Sequence, residues 1–325
     1  MSLIEAFRER RPFPGQDPWV VSHDGSLLLL QSSRANRRIV VKRFRDLQRM
    51  DRNVETTIWA PKGHDRRRDL WAPELHQVHG RWYLYFAASE AGTAGHRMYV
   101  LEAEDPLGPY RDLGKVYDPN HDCWAIDMTV FTHAGQLYAL WSGWEGPHDG
   151  FPQNLYVSPM ANPWTIGGER RCLSRPEYGW EMSVAPVNEG PTVIRHPGSG
   201  RLFILYAADA SWTTAYKTGL MEWIGGDITD PLAWRKSPDP WFTGGGHGCV
   251  VDTTAGSHFV YHRKLTGEPG WADREIRSAP LFWDPDGYPL VQTMAPSSGE
   301  AVRAGADAGS AFGPGAQLQA LRRVA

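Results

Sequence analysis

No run in this sequence approaches the ~20 consecutive apolar residues of a membrane-spanning helix, so it offers no candidate for one. The first residues, MSLIEAFRERRPFPG, lack the apolar core of ~7–15 residues that a secretory leader carries. On that ground the expected location is the cytoplasm. Cysteine is scarce: Cys123, Cys172 and Cys249 are far apart and form no CxxC pair. That argues against both a zinc knuckle and a disulfide framework. Excess positive charge is missing too. The formal net charge is −3, with no basic stripe for nucleic acid and no lysine-rich amphipathic segment for a membrane surface. Helical periodicity is confined to residues 2–10 and to AQLQALRRVA at the C-terminus. No linker divides the chain, and 325 residues can bury a large core. Residues 1–295 are expected to form one domain. Residues 296–325, rich in small and polar side chains, are expected to be a tail that is loosely ordered or packed on it.

What the sequence has in quantity is tryptophan, tyrosine and glycine: 15, 12 and 34 residues. Aromatic richness serves core packing, and it also serves clefts that stack on the apolar C–H faces of sugars. The glycines punctuate a repeat. VVSHDGSLLLLQSS, LHQVHGRWYLYFAAS, VFTHAGQLYALWSG, VIRHPGSGRLFILYAAD and VVDTTAGSHFVYHRK each read as strand, tight turn, strand. Their turn glycines, Gly25, Gly80, Gly135, Gly200 and Gly256, are 55, 55, 65 and 56 residues apart. Strand-type units at a near-constant period of this size predict an all-β fold, a five-bladed β-propeller. HRMYVLEAE, QNLYVSPMA and YKTGLMEWIGG supply third strands for blades two to four.

In a propeller the innermost strand of each blade lines a central channel. Counting back six to eight residues from each turn places Asp17, Trp71, Asp127, Glu189 and His247 at the leading ends of those strands. The count to Glu189 is one longer than that to Asp17 or Asp127, and a slip beside a longer turn is allowed there. Three acids, a histidine and an aromatic ring at one mouth suit glycoside hydrolysis. One carboxylic acid protonates the leaving oxygen, and one carboxylate activates water or attacks the sugar. Carboxylates brought close push each other's pKa values apart, which separates the two roles.

QDPWVVSHDG, LWAPELHQVHGRWYLYFAA, AIDMTVFTHAGQLYALWSGWEG, VNEGPTV and FWDPDGYP together resemble glycoside hydrolase family 43, from residue 16 to about 290. HRMYVLE, QNLYVSPMANPWTI and LSRPEYGWE resemble its exo-acting α-L-arabinofuranosidase branch. The resemblance implies an inverting glycosidase that releases terminal α-L-arabinofuranosyl residues from arabinan-derived oligosaccharides. A β-D-xylosidase and a non-catalytic sugar-binding propeller are the alternatives. It implies Asp17 as the general base, Glu189 as the general acid, and Asp127 as the residue that tunes and holds Glu189. It further implies Trp71 as a pocket wall, His247 near the channel axis and Arg274 on the sugar and the base. No cofactor is required by it. A calcium or other ion in the channel is allowed, with His247 as a possible ligand. The expected partner is an arabino- or xylo-oligosaccharide.

Other residues read as structural. Glu74 is an odd number of residues from Trp71, which on a regular strand turns it to the other face. Arg277 and Arg66 to Arg68 read as surface or ion-pair charges, and His23, His79, His133 and His196 as turn residues. Met128 and Ala279 depart from the family pattern at positions expected near the pocket.

Overall fold

The computed structural model describes residues 13–291 apart from 34 and 53. The two helical segments and the tail expected at the chain ends lie outside the described residues. Five antiparallel sheets of four or five strands follow one another along the chain. Blade one contains Trp19–His23, Ser26–Ser32, Ile39–Phe44 and Thr56–Trp59. Blade two contains Arg68–Val78, Arg81–Ser89, Arg97–Ala103 and Arg111–Lys115. Blade three runs from Ala125–His133 through Gln136–Gly143 to Asn154–Asn162, which pairs with Thr165–Ile166 and Arg171–Ser174. Blade four contains Asn188–Arg195, Leu202–Ala208, Lys217–Trp223 and Trp234–Lys236. Blade five contains Gly246–Thr253, Gly256–Lys264 and Arg274–Trp283. The outer edge of that third strand is shared by Pro289–Val291 and by Phe13–Pro14 from the start of the chain. The ring is thus closed by pairing the first strand with the last blade.

The middle strands explain why blades stack. Leu27 to Leu30 and Trp82 to Ala88 are apolar without alternation, and every one of those residues is buried. A strand buried on both faces must lie in a sheet covered on both sides. Five apolar clusters provide that cover, one at each junction. Leu28, Ile39, Leu75 and Phe86 join blades one and two. Tyr85, Val100, Met128 and Trp141 join two and three. Leu140, Leu155, Ile204 and Trp234 join three and four. Phe203, Leu205, Phe259 and Leu281 join four and five. Phe13, Leu29, Cys249 and Ile276 join five and one.

All five turn glycines have positive φ, from 66° to 108°, as tight hairpins demand. Turn histidines also latch neighbouring blades. The rings of His23, His133 and His196 stand edge-on to Trp82, Trp223 and Trp283.

Candidate active site

A second fivefold repeat lies at the other end of the inner strands. Asp17, Ala72, Asp127, Gly190 and His247 all have left-handed backbones, with φ of 46°, 44°, 57°, 51° and 47°. In blades two to five the ladder to the next strand shifts register at that point. A bulge of this kind bends the strand and re-aims its side chains. Non-glycine residues held left-handed are strained, and Asp and His tolerate it better than most. The bulge also corrects the alignment of the repeats. Gly190, not Glu189, is the equivalent of Asp127, and Ala72, not Trp71, is the equivalent in blade two. Glu189 and Trp71 share the position just before the bulge.

The bulges converge three carboxyl groups from three blades. His247 lies between two of them, its Nδ1 3.4 Å from Asp17 Oδ1 and 3.8 Å from Asp127 Oδ2. The Gly190 amide donates to Asp127 Oδ2 at 3.1 Å. Tyr216 donates its hydroxyl to Glu189 Oε1 at 2.8 Å, and the Ser211 side chain also bonds to Glu189. The Asp17 amide donates to His262 Nδ1 at 3.1 Å. The nitrogen that accepts the amide cannot also donate to the carboxylate, so the proton of His262 sits on Nε2. The His262 ring is fully buried and stacks on Tyr216 at 5.2 Å. Arg274 donates to the Gln16 side chain, and its buried Nε has no protein partner.

These surroundings separate the acids. Burial alone would favour neutral Asp17, but the charges of His247 and His262 when protonated, and of Arg274 throughout, hold its pKa below the ordinary carboxylate value. Burial also lowers His247 and pushes His262 down to about 3, so near neutral pH both imidazoles are uncharged. Arg274 is then the standing cation that keeps Asp17 ionised. Glu189 is pushed up to about 7, by burial first and by the Asp17 charge, against its bonds to Tyr216 and Ser211 and the pull of Arg274. Asp127 is raised well above the ordinary value by burial, then by the charges of Glu189 and Asp17. Asp127 and Glu189 therefore take up protons as a pair, while Asp17 remains a carboxylate.

Aromatic rings gather at the strand ends that carry Trp71 and Asp127. Trp71 stacks on His96 at 3.6 Å, and Trp124 on Trp144 at 4.7 Å, in one cluster with Ile126.

Comparison with known proteins decides the family. The model of glycosyl hydrolases family 43 matches residues 12–289. The chain belongs to glycosyl hydrolase family 43. It is 36% identical over 275 residues to an extracellular exo-α-(1→5)-L-arabinofuranosidase of Streptomyces chartreusis, covering 78% of this chain and 82% of that one. It is 32% identical to another of that description from Streptomyces avermitilis, over 84% of this chain and 60% of the relative. The chain thus spans less than two thirds of that second relative's length. Among solved structures, the α-L-arabinofuranosidase of Lactobacillus brevis matches with a TM-score of 0.77 and 30% identity, over 89% of this chain and 97% of that one.

The family relatives overturn the expected cytoplasmic location. Two of them are extracellular proteins, which points to secretion. The absence of a leader-like apolar core in the first residues was too slight a signal to carry the opposite view.

Several residues packed against the three acids escape a reading of the sequence. His262 lies on a second strand and Tyr216 just before a third, and only the folded register brings them beneath Asp17 and Glu189. Glu74 was assigned to the wrong face, because the bulge at Ala72 breaks the alternation on which that assignment rested. Its side chain is buried, bonds to Thr129 of blade three, and lies 2.8 Å from His76 Nε2. Its charge also reaches Cys249 of blade five, so it lies in the channel below the acids. Burial, opposed by the Thr129 bond and reinforced by Asp127, raises its pKa well above the ordinary value. Met128 and Ala279, expected near the pocket, pack instead between blades. Arg277 pairs with Glu275, and Arg67 with Asp65 and Asp112, outside the pocket. Among the described residues, no group of three or more His, Cys, Asp or Glu side chains is arranged to hold a metal ion. His247 lies beside Asp17, Asp127 and the ring of His262, but these do not converge as a set of ligands, so the fit for a channel ion is poor.

Proposed function

We propose that the chain is an inverting exo-α-L-arabinofuranosidase that releases terminal arabinofuranosyl residues from arabinan-derived oligosaccharides. The observation that carries this reading is the opposite protonation of two buried carboxyls in one pocket: Asp17 is held ionised and Glu189 is raised to about 7. The substrate class is supported by relatives named as α-L-arabinofuranosidases.

In this reading the Asp17 carboxylate takes a proton from water as that water attacks the anomeric carbon. Protonated Glu189 gives its proton to the glycosidic oxygen as the bond to carbon breaks. Attack on the face opposite the leaving group inverts the anomeric centre. Asp127, held by the Gly190 amide, shares a proton with Glu189 and resists the build-up of charge as Glu189 ionises. His262 holds the strained backbone of Asp17 through its amide. The free Nε of Arg274 offers a donor to a sugar hydroxyl. Trp71 presents a ring to the apolar face of the terminal sugar, its plane set by His96.

The test is proton NMR during hydrolysis of α-1,5-linked arabino-oligosaccharides. The expected first product is β-L-arabinofuranose, released one unit at a time from a chain end. First appearance of the α-anomer, cleavage at internal bonds, or release of xylose but not arabinose from matched substrates would each end the reading.

A further inference from the structure

Two mouth loops carry a second pair of tryptophans that the chemistry above leaves unused. Trp212 lies in the loop between Leu202–Ala208 and Lys217–Trp223 of blade four. Trp271 lies in the loop between Gly256–Lys264 and Arg274–Trp283 of blade five. Their rings meet with centroids 5.2 Å apart and planes inclined at 54°, which makes an open corner. Trp271 is 50% exposed. Among the described residues the other exposed Phe, Tyr and Trp rings, Tyr117, Trp164 and Phe282, belong to outer parts of blades two, three and five.

The corner is tied to the reacting groups on both sides. The residue before Trp212 is Ser211, which bonds to Glu189. The guanidinium of Arg274 lies 5.4 Å from the centre of the Trp271 ring. The same guanidinium acts on Asp17 and Glu189. The loops are also held firmly. Asp209 accepts hydrogen bonds from the amides of Ser183, Val184, Ala185 and Ala210. Trp212 packs beside Phe151, Ala185, Val187 and Ala210. The Gly270 amide donates to the Trp212 carbonyl at 2.9 Å, and Asp273 pairs with Lys264 and accepts from Thr266. A platform held this way binds without first having to be ordered.

The two aromatic groups at the mouth differ in what their faces already do. Trp71 has one face covered by His96, and Trp124 and Trp144 cover each other. They suit the wall of a pocket for one sugar. Trp271 turns half its surface to solvent beside Arg274. The glycosidic oxygen must reach Glu189, so the sugar that bears it leaves the pocket past Ser211 and Trp212. We infer that Trp271, braced by Trp212 and Arg274, is the stacking platform for the penultimate sugar ring of the substrate, the leaving group. This rests on the reading of the pocket as a glycosidase that removes a terminal sugar. Stacking there contributes binding only when the leaving group is itself a sugar.

The experiment compares α-1,5-linked arabinobiose with methyl α-L-arabinofuranoside, whose leaving group is too small to reach the platform. For Trp271→Ala, kcat/KM on the biose is expected to fall about tenfold, mainly through KM. On the methyl glycoside it is expected to change by less than about twofold. Trp271→Phe, which keeps a stacking ring, should recover most of the loss. Equal falls on both substrates would overturn the proposal, because the ring would then serve the terminal sugar or the fold. No fall on either would overturn it as well. If the unaltered enzyme hydrolyses neither arabinofuranoside, it is the arabinofuranosidase reading that fails. The same comparison with xylobiose and methyl β-D-xyloside then decides the platform on its own.

Discussion

Glu189 is costly to ionise where it stands, and that single fact governs the pH behaviour of the site. A general acid must carry its proton in the free enzyme, so the alkaline limb of kcat/KM is expected near pH 7. The acid limb should lie below the usual carboxylate range, where Asp17 takes up its proton. Asp127→Asn removes the partner with which Glu189 shares its proton, so Glu189 ionises more easily and the alkaline limb should move to lower pH. A profile for that variant that overlays the wild type at full rate would remove Asp127 from any tuning role. Stability follows the same logic. The folded pKa of Glu189, about 7, exceeds the unfolded value, so the folded state holds a proton that the unfolded chain gives up between about pH 4.5 and 7. Stability therefore falls as pH rises through that window and stays low above it. Glu189→Gln, which has no proton to lose, should raise the melting temperature at pH 8, by a stability gain on the order of 1–3 kcal/mol. At pH 4 it should leave the melting temperature nearly unchanged. Calorimetry at the two pH values checks both halves of the prediction.

The inner strand, with its left-handed bulge, is the element that turns a repeat into a site. Gly190 is where this is most sharply constrained. Its φ is +51°, and a Cβ there would lie 2.5 Å from Cγ of His247. Gly190→Ala therefore forces His247 away from Asp17 and Asp127 and adds backbone strain. It is expected to cost about 1–3 kcal/mol of stability and at least a tenfold loss of kcat/KM, read by thermal melting and steady-state rates. The bulge also marks the limit of what the linear sequence discloses. The hairpins were plain from turn glycines and strand formers, because both are local signals. The acids Asp17, Asp127 and Glu189 stand out because they sit near a repeating landmark. The bulge was not foreseen, since Asp, Ala, Gly and His share no side-chain chemistry that announces a common φ. That is why Glu189 seemed one residue out of step, and why the parity rule turned Glu74 to the wrong face. His262 and Tyr216 were out of reach for another reason. Each acts across a strand pairing or a blade junction, and nothing near them in the chain points to Asp17 or Glu189.

At the scale of the whole molecule, the ring is held by five apolar junctions and one seam. The seam pairs Phe13 with Ile276 and Pro14 with Glu275, and Phe13 is buried in the junction of blades five and one. Phe13→Ala should cost about 3–5 kcal/mol, as for other buried aromatic truncations. Because Gly15 donates to the Arg274 carbonyl, the same change should also loosen Arg274 beside Asp17 and lower kcat. A melting curve and rate that match the wild type would show that the seam does not matter. The seam has a further consequence in time. In synthesis Asp17 is made about 245 and 257 residues before His262 and Arg274, which hold its backbone and its charge. Ordering such distant partners carries a large loop-closure cost and is a late event in folding. A nascent chain bearing four finished blades still lacks the groups that hold Asp17 in place and ionised. The enzyme is therefore born inert and becomes active only when its last blade meets its first strand.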